Sequence, residues 1–211
     1  MIVRIFNGEY LRRLDNIIQW LEKDTIKKES VATHSFKVSV FCRVLLEDIF
    51  GNNTDDAKIL KFKLDCVTFA LLHDWDEALI RRDISHEIKY NEWNGEELRA
   101  LLDKLSSHYA LQEFGPLNEN DSCDMIIENI VNPGDLVHAV VKICDWLAME
   151  YFLIREMRLG NKQFKNTSDY CIENACKQIR IVEQMFEKRF EKYTYNFDNL
   201  YDLIKELKNF L

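Results

Sequence analysis

The sequence predicts a single all-helical domain, and three observations support this fold class. Gly (6) and Pro (2) are scarce among the 211 residues, so few positions interrupt regular structure. Leu, Ile, Lys and Glu are frequent, a composition that favours long helices over a turn-rich β fold. Apolar residues recur at helical spacing, and no segment shows a convincing strand alternation. We therefore predict an all-α helical bundle that spans residues 1–211.

Three amphipathic helices are predicted in the first third of the chain. The first covers residues 9–21. Ser30 has the side chain of an N-cap and begins the second helix, which the break at residues 51–54 ends. The third covers residues 55–73, and its last turn is apolar on every side, which predicts a central position. The predicted core positions of the second and third helices are Val31, Phe36, Val40, Phe41, Val44, Leu45, Leu60, Leu64, Val67, Ala70 and Leu71.

The remaining two thirds of the chain alternate between helices and loops. Gly160 and Asn161 stop a long helix that starts at Pro133-Gly134-Asp135. The aromatic, charged C-terminal region predicts core-facing helices or an oligomer contact. The predicted segments are an irregular stretch at 75–90, helices at 95–109, 125–130, 133–159, 168–192 and 199–211, and a loop at 112–124.

Charge and cysteine usage restrict the function class. The net charge is −8, so a strongly basic nucleic-acid-binding face is not expected. A small anionic substrate is compatible with this charge, because a metal ion and a few local cations can overcome the global sign. The N-terminal apolar stretch is too short for a signal peptide, and no run approaches the roughly 20 residues of a membrane span. We expect a cytoplasmic protein without membrane or nucleic-acid partners, whose cysteines are buried free thiols. These cysteines are Cys42, Cys66, Cys123, Cys144, Cys171 and Cys176.

Four residues form a candidate metal site: His34 near the start of the second helix, His73 and Asp74 at the end of the third, and Asp145 in the most apolar part of the long helix. Two imidazoles and two carboxylates suit a divalent transition metal with a position left for water. Each residue also has a structural interpretation. A histidine at a helix start is usually a cap or a surface group, and Asp145 could form a core ion pair with Lys142 or Arg155. Spacing alone leaves both interpretations open.

The order of these motifs resembles a known family. The set H…HD…D, with the intervening E-x-x-x-x-x-D and K-Y, is specific, whereas the HD pair alone is not. The segments that carry it are residues 28–36 (KESVATHSF), 71–78 (LLHDWDEA), Asp83-Ile84, Lys89-Tyr90 and residues 142–145 (KICD). Over residues 11–159 the chain resembles the HD-domain superfamily, and within it the bacterial 5'-deoxynucleotidases and related phage deoxynucleotide phosphohydrolases.

The resemblance implies a helical bundle of the HD-domain type, often a homodimer, with one divalent transition metal (Mn, Co, Zn or Fe rather than Mg). It implies that His34, His73, Asp74 and Asp145 hold the metal. It also implies catalytic roles: Glu77 orients or deprotonates the attacking water, and Asp83 aids proton transfer to the leaving oxygen. Lys89 matches a lysine near the phosphate, and Trp20 matches an aromatic residue that borders the nucleoside pocket.

Several positions depart from the family pattern. Gln19 stands beside Trp20 where the family has a phosphate-contacting Arg, and Thr33 replaces the usual Glu before the first His. The segment 77–83 is one residue longer than usual, and Arg81-Arg82 replaces its common Thr-Gly. These arginines, with Lys27 and Lys28, are candidates to replace the lost contact. Since Arg makes bidentate phosphate contacts, they also favour a more highly charged substrate such as a triphosphate.

The expected function is therefore that of a 5'-deoxynucleotidase acting on deoxynucleoside 5'-monophosphates. A deoxynucleoside triphosphate (dNTP) phosphohydrolase, for example on dATP, is the first alternative. A non-catalytic nucleotide sensor is disfavoured because Glu77 is retained. A phosphodiesterase for a signalling nucleotide is disfavoured because further suitably spaced His residues are scarce.

Overall fold

The computed structural model describes residues 10–20, 23–51, 56–83 and 133–210, together with isolated helical positions between residues 97 and 104. Within these residues there is no strand, and an isolated antiparallel bridge joins Ile18 to Ser30. The all-helical prediction is confirmed. The described helices are α1 (Tyr10–Asn16), α2 (Val31–Phe50), α3 (Ala57–Leu72), α4 (Trp75–Ile80), α5 (Asp135–Arg158), α6 (Lys165–Arg189) and α7 (Asp198–Phe210), with a 3-10 turn at Lys162–Phe164.

The chain divides into two compact units. The first unit comprises Met1–Ser35 and Leu72–Pro133, and the second comprises Phe36–Leu71 and Gly134–Leu211. Because the divisions fall inside α2 and α3, each of these helices contributes to both units. The first unit holds the motif residues of α2, α3 and α4, and the second holds most of the long helices.

In the first unit, α1 ends earlier than predicted. The helix stops at Asn16, not at residue 21. After it, the backbone pairs with the segment before α2, since the Val31 N–H donates to the Ile17 carbonyl and the Gln19 N–H to the Glu29 carbonyl, both at 2.9 Å. The Ile17 N–H still donates to the Arg13 carbonyl, but the Ile17 carbonyl and the Gln19 N–H pair with the segment before α2. This non-local pairing could not be read from local apolar spacing.

The predicted N-cap of α2 is confirmed. The helix begins at Val31, and the Ser30 hydroxyl accepts a hydrogen bond from the Thr33 N–H at 3.2 Å. That bond satisfies one of the backbone donors left without a partner in a first helical turn. As a result, His34 lies in the first turn of α2, as expected.

In the second unit, Leu45 and Ala70 are buried as predicted, but six other predicted core positions of α2 and α3 are exposed. Phe36 and Val44 are more than 60% exposed, and so is Leu64 on α3. The exposed positions that were predicted to be core are Phe36, Val40, Val44, Leu60, Leu64 and Leu71. The buried positions are Val38, Cys42, Leu45, Leu46, Ile49, Ile59, Phe62, Cys66 and Ala70. Both helices carry apolar residues on two faces, so periodicity alone could not determine which face packs inward.

An aromatic cluster lies in the core of this unit, and its residues come from α2, α3 and the C-terminal region. Phe50 of α2 contacts Phe186 and Phe190, with ring centroids 5.4 and 5.0 Å apart. Phe62 of α3 and Phe197, just before α7, complete it. Edge-to-face and tilted aromatic pairs of this kind stabilise a core beyond their buried area. The core-facing prediction for these C-terminal aromatic residues is therefore confirmed.

The long helix α5 matches its prediction. Gly134 precedes it with φ +80°, and Gly160 lies two residues after its end with φ +102°, conformations that glycine adopts readily. Helix α5 packs along α6, and α6 contacts α7. Residues 75–80, predicted to be irregular, instead form α4, with Trp75 and Ala78 buried. The sequence pattern did not predict this helix, because only Trp75 and Ala78 mark its buried face and two acidic residues separate them.

Other predictions meet the structure in part. Residues 97, 100–102 and 104 are helical, in agreement with the predicted helix at 95–109. The predicted loop at 112–124, the helix at 125–130 and Cys123 lie outside the described residues. The other five cysteines are free, four of them buried. No helix within the described part of the chain has the length and apolar character required to cross a membrane.

Candidate active site

Two histidines of the first unit lie side by side. His34 of α2 and His73, directly after α3, have ring centroids 5.5 Å apart and ring planes tilted by 50°. His34 is buried and His73 nearly so. An exposed histidine needs no explanation, but two adjacent buried imidazoles are a costly arrangement unless they have a common partner.

Asp74 adds a carboxylate to this pair. It precedes α4, yet its side chain makes no capping hydrogen bond with that helix. Instead, its Oδ2 lies 3.2 Å from His73 Nε2. Ligands bonded to one zinc-like ion at about 2.1 Å in a tetrahedron lie about 3.4 Å apart. The imidazole nitrogen and the carboxylate oxygen are therefore placed as two ligands of one ion would be.

Glu77 lies in the first turn of α4 and is 2% exposed. Its backbone N–H donates to the Asp74 carbonyl, so the two acidic residues are held by the same helical turn. A carboxylate buried to this degree requires compensating interactions. Glu77 therefore lies on a helix with its side chain buried, not in a solvated loop.

Asp83 and Trp20 are joined by a hydrogen bond. The Trp20 N–H donates to Asp83 Oδ2 at 2.8 Å, across 63 residues of sequence. Trp20 has φ +62°, a left-handed conformation that costs a non-glycine residue about 1–2 kcal/mol. A hydrogen bond to a charged group contributes about 1.5–3 kcal/mol, enough to offset that cost. Trp20 thus lies in a turn after α1 rather than at the end of a helix.

Glu29 is a residue that the sequence analysis did not single out. It is 5% exposed, and its Oε1 lies 3.9 Å from His34 Nδ1. In metal sites, a carboxylate near the second ring nitrogen of a ligating histidine orients the ring. One feature of the sequence could have indicated Glu29: it is a charged residue directly before the N-cap Ser30, where a buried helix begins.

Asp145 belongs to the second unit, where it is buried on α5. Lys142 Nζ lies 2.7 Å from its Oδ2. The ion pair that the sequence left open as an alternative to metal binding is therefore present. It engages one of the two carboxylate oxygens of Asp145.

The structure places the other predicted site residues as follows. Gln19 is held by its backbone beside Trp20 and is half-buried. Arg81 ends α4 with φ +58°, and both Arg81 and Arg82 are exposed. Lys89 lies outside the described residues. The first unit contains His34, His73, Asp74, Glu77, Trp20, Gln19 and Asp83, and within it His73 contacts His34 and Asp74, while Trp20 contacts Asp83.

The residues present fit a divalent transition metal. Imidazole and carboxylate are the donors that Mn, Fe, Co and Zn accept, and both kinds are buried here within hydrogen-bond range of each other. The buried Glu29 near His34 supplies the outer carboxylate that such sites commonly have.

Two solved structures share the fold of this chain. An HD-domain phosphohydrolase of Listeria innocua aligns with a TM-score of 0.59 at 20% identity, over 87% of this chain and 80% of that one. The PH0347 protein of Pyrococcus horikoshii aligns with a TM-score of 0.61 at 19% identity, over 100% of both chains. A search of curated proteins finds no significant match. The fold is therefore that of an HD-domain phosphohydrolase.

The model of one protein family matches most of the chain. That family is described as 5'-deoxynucleotidase YfbR-like, and the match covers residues 7–194. This chain belongs to the YfbR-like 5'-deoxynucleotidase family. It is accordingly a metal-dependent phosphohydrolase, and the resemblance read from its motifs is confirmed.

Proposed function

We propose that this protein is a 5'-deoxynucleotidase that releases phosphate from deoxynucleoside 5'-monophosphates. The proposal rests on one observation, the burial of four titratable side chains at His34, His73, Asp74 and Glu77. A protein that only binds a nucleotide would have no need to bury these groups. The family match supports the substrate class. Trp20, half-buried at the turn that Asp83 holds, is the residue we propose for the border of the nucleoside pocket.

We propose, from the family resemblance, that His34, His73, Asp74 and Asp145 hold one divalent ion; Asp74 Oδ2 lies 3.2 Å from His73 Nε2. When bound, such an ion makes water acidic enough to attack at neutral pH and stabilises charge on phosphoryl oxygens. Lys142 already pairs with Asp145, so metal binding has to compete with or share that carboxylate. Mn, Co, Fe or Zn suit this donor set better than Mg, which prefers oxygen ligands.

The chain's own residues supply the rest of the chemistry. Glu77 is a general base placed one turn after Asp74, so it can accept a proton from the attacking water. Lys89 and the exposed Arg81 and Arg82 are the cations we propose for the phosphate, in place of the arginine that Gln19 replaces. In this scheme, Gln19 contributes an amide beside the nucleoside rather than a charge.

A dNTP phosphohydrolase is the second candidate. The observation that favours it is the exposed Arg81-Arg82 pair, four and five residues after Glu77. Two guanidinium groups can bind β- and γ-phosphates in a bidentate manner. We also propose, from the resemblance, that the protein acts as a homodimer in the cytoplasm.

The test is a phosphate-release screen. Metal-stripped protein is incubated with each (d)NMP and (d)NTP, with Mn, Co, Zn or Mg added back. His73→Ala is the inactive variant, and His138→Ala, at an exposed histidine of α5, is the matched control. Phosphate from monophosphates, lost in His73→Ala but retained in His138→Ala, supports the proposal. Triphosphate consumption supports the second candidate. Metal binding without turnover of any nucleotide would refute both and favour a nucleotide sensor.

A further inference from the structure

Two non-glycine residues of the described chain have a left-handed backbone, and both are linked to Asp83, Trp20 by a hydrogen bond and Arg81 as its near neighbour in sequence. Trp20 has φ +62° and Arg81 has φ +58°. Arg81 ends α4, where the N–H groups of Arg81 and Arg82 both donate to the Glu77 carbonyl. The chain turns there, and two residues later Asp83 accepts the hydrogen bond from Trp20.

The backbone of Trp20 is held on both sides. Its carbonyl accepts a hydrogen bond from the Lys23 N–H at 2.9 Å, and its N–H donates to Asp83 at 2.8 Å. The neighbouring Gln19 N–H donates to the Glu29 carbonyl instead. Because the direction of the Cα–Cβ bond changes with φ, the indole ring keeps its position only while the left-handed conformation is maintained. The bond to Asp83 ties that conformation to the end of α4.

We propose that Asp83 is a positioning residue that holds Trp20 in its left-handed conformation and so sets the place of the indole ring in the nucleoside pocket. This role differs from the proton transfer that the family resemblance implies for Asp83. It rests on the proposed function, because it gives Trp20 a substrate to contact. Asp83 also couples the nucleoside side of the site to α4, which carries Glu77.

The first experiment follows the Trp20 amide directly. The full chain is labelled with ¹⁵N-tryptophan, and the Trp20 backbone signal is assigned by its absence in Trp20→Phe. In Asp83→Ala we expect this signal to shift upfield and its hydrogen exchange to accelerate at least about tenfold, the equivalent of a lost charged hydrogen bond. Asp83→Asn keeps an oxygen acceptor and should recover most of the protection. A Trp20 amide that is unchanged in Asp83→Ala overturns the proposal.

The second experiment measures kinetics on whichever nucleotide the wild-type enzyme hydrolyses. We expect Asp83→Ala to raise KM at least about tenfold with a smaller effect on kcat, and Asp83→Asn to restore KM. In a Trp20→Ala background, Asp83→Ala should change KM less than about twofold, because the ring it positions is already missing. An equal loss of kcat in both backgrounds, with Asp83→Asn as impaired as Asp83→Ala, would show proton transfer and overturn the proposal.

The two experiments separate this inference from the proposed function. If the wild-type protein hydrolyses no nucleotide, the proposed function fails, and the amide measurement alone decides whether Asp83 holds Trp20. Should Asp83→Ala not fold, Asp83→Glu replaces it, because it keeps the charge but moves the acceptor by one methylene. The Trp20 signal is then expected to shift, and an unshifted signal contradicts the proposal.

Discussion

Lys142 and Asp145 form an ion pair one turn apart on α5, with Nζ 2.7 Å from Oδ2. The Lys142 ammonium also lies 4.8 Å from the centroid of the Trp146 ring. A buried carboxylate that serves as a metal ligand is costly while no metal is bound, and Lys142 reduces that cost. The structural and the metal-binding interpretations of Asp145 are therefore compatible, since one cation can replace or accompany the other.

Replacing Lys142 tests whether a metal ion can take over the role of its ammonium group beside Asp145. In Lys142→Met we expect the metal-free protein to lose about 1–2 kcal/mol of unfolding free energy, because Asp145 keeps a buried charge without its ammonium. Added Mn should stabilise this variant more than the wild type. Urea unfolding with and without Mn measures both effects. Lys61→Met, which removes the exposed ion pair with Asp65 on α3, is the matched control and should cost less than about 0.5 kcal/mol. Equal metal stabilisation of wild type and Lys142→Met would contradict the expectation.

Glu150 makes the stability dependent on pH. It is 2% exposed, its Oε1 accepts a hydrogen bond from Ser168 at 2.6 Å, and burial raises its pKa from 4.5 to about 7. A carboxyl whose folded pKa is raised favours the neutral form in the native state. Ionised Glu150 therefore lowers the free energy of unfolding. This loss of stability is absent below pH 4.5, grows as pH rises from 4.5 to about 7, and is complete above the folded pKa.

We therefore expect Glu150→Gln to become progressively more stable than the wild type as pH rises. The difference in unfolding free energy should shift by about 2–3 kcal/mol in favour of the variant between about pH 5 and pH 8. Urea unfolding at several pH values measures it. Ser168→Ala is the control, since it removes the hydrogen bond but keeps the buried carboxyl and therefore the pH dependence. A difference between wild type and Glu150→Gln that does not vary with pH would contradict the assignment.

Arg81 combines a strained backbone with a proposed phosphate contact, and two substitutions separate these features. Both Arg81→Gly and Arg81→Ala remove the guanidinium, but only glycine adopts φ +58° without strain. We expect Arg81→Gly to be more stable than Arg81→Ala by about 1 kcal/mol in thermal or urea unfolding. Both should weaken triphosphate use equally, and more than monophosphate use, if the arginine binds phosphate.

Arg82→Ala extends this comparison at a neighbouring exposed position. The conformation of Arg82 does not require a positive φ, so its removal should affect nucleotide use without the stability difference expected at Arg81. An equal effect of all three variants on mono- and triphosphates would count against a role for these arginines in phosphate-number selection.

Ser30 links helix capping to the metal site. Ser30→Ala removes the acceptor for the Thr33 N–H and should cost about 1 kcal/mol of unfolding free energy. Since His34 lies in the same first turn, fraying there should also weaken Mn binding, which calorimetry measures. Ser30→Asp keeps a capping oxygen and should retain both stability and affinity. Loss of stability with unchanged Mn affinity would show that the cap does not position His34.

Much of the fold was predictable because it depends on local chemistry. The Ser30 cap, the glycines beside α5 and the long apolar run of that helix act over one or two turns, so neighbouring residues suffice to read them. The order of the H…HD…D motif likewise indicated the family, although it could not show that His34 and His73 lie side by side.

The sequence by itself determined that this chain is helical, where α2 and α5 begin, and which residue types could hold a metal. Tertiary structure alone decided which faces of α2 and α3 are buried, because both faces are apolar and packing selects one. It also decided that α1 ends at Asn16 and that Trp20 takes a left-handed conformation. Those features depend on partners at Glu29, Val31 and Asp83 that are distant in sequence, and local propensity carries no information about such pairings.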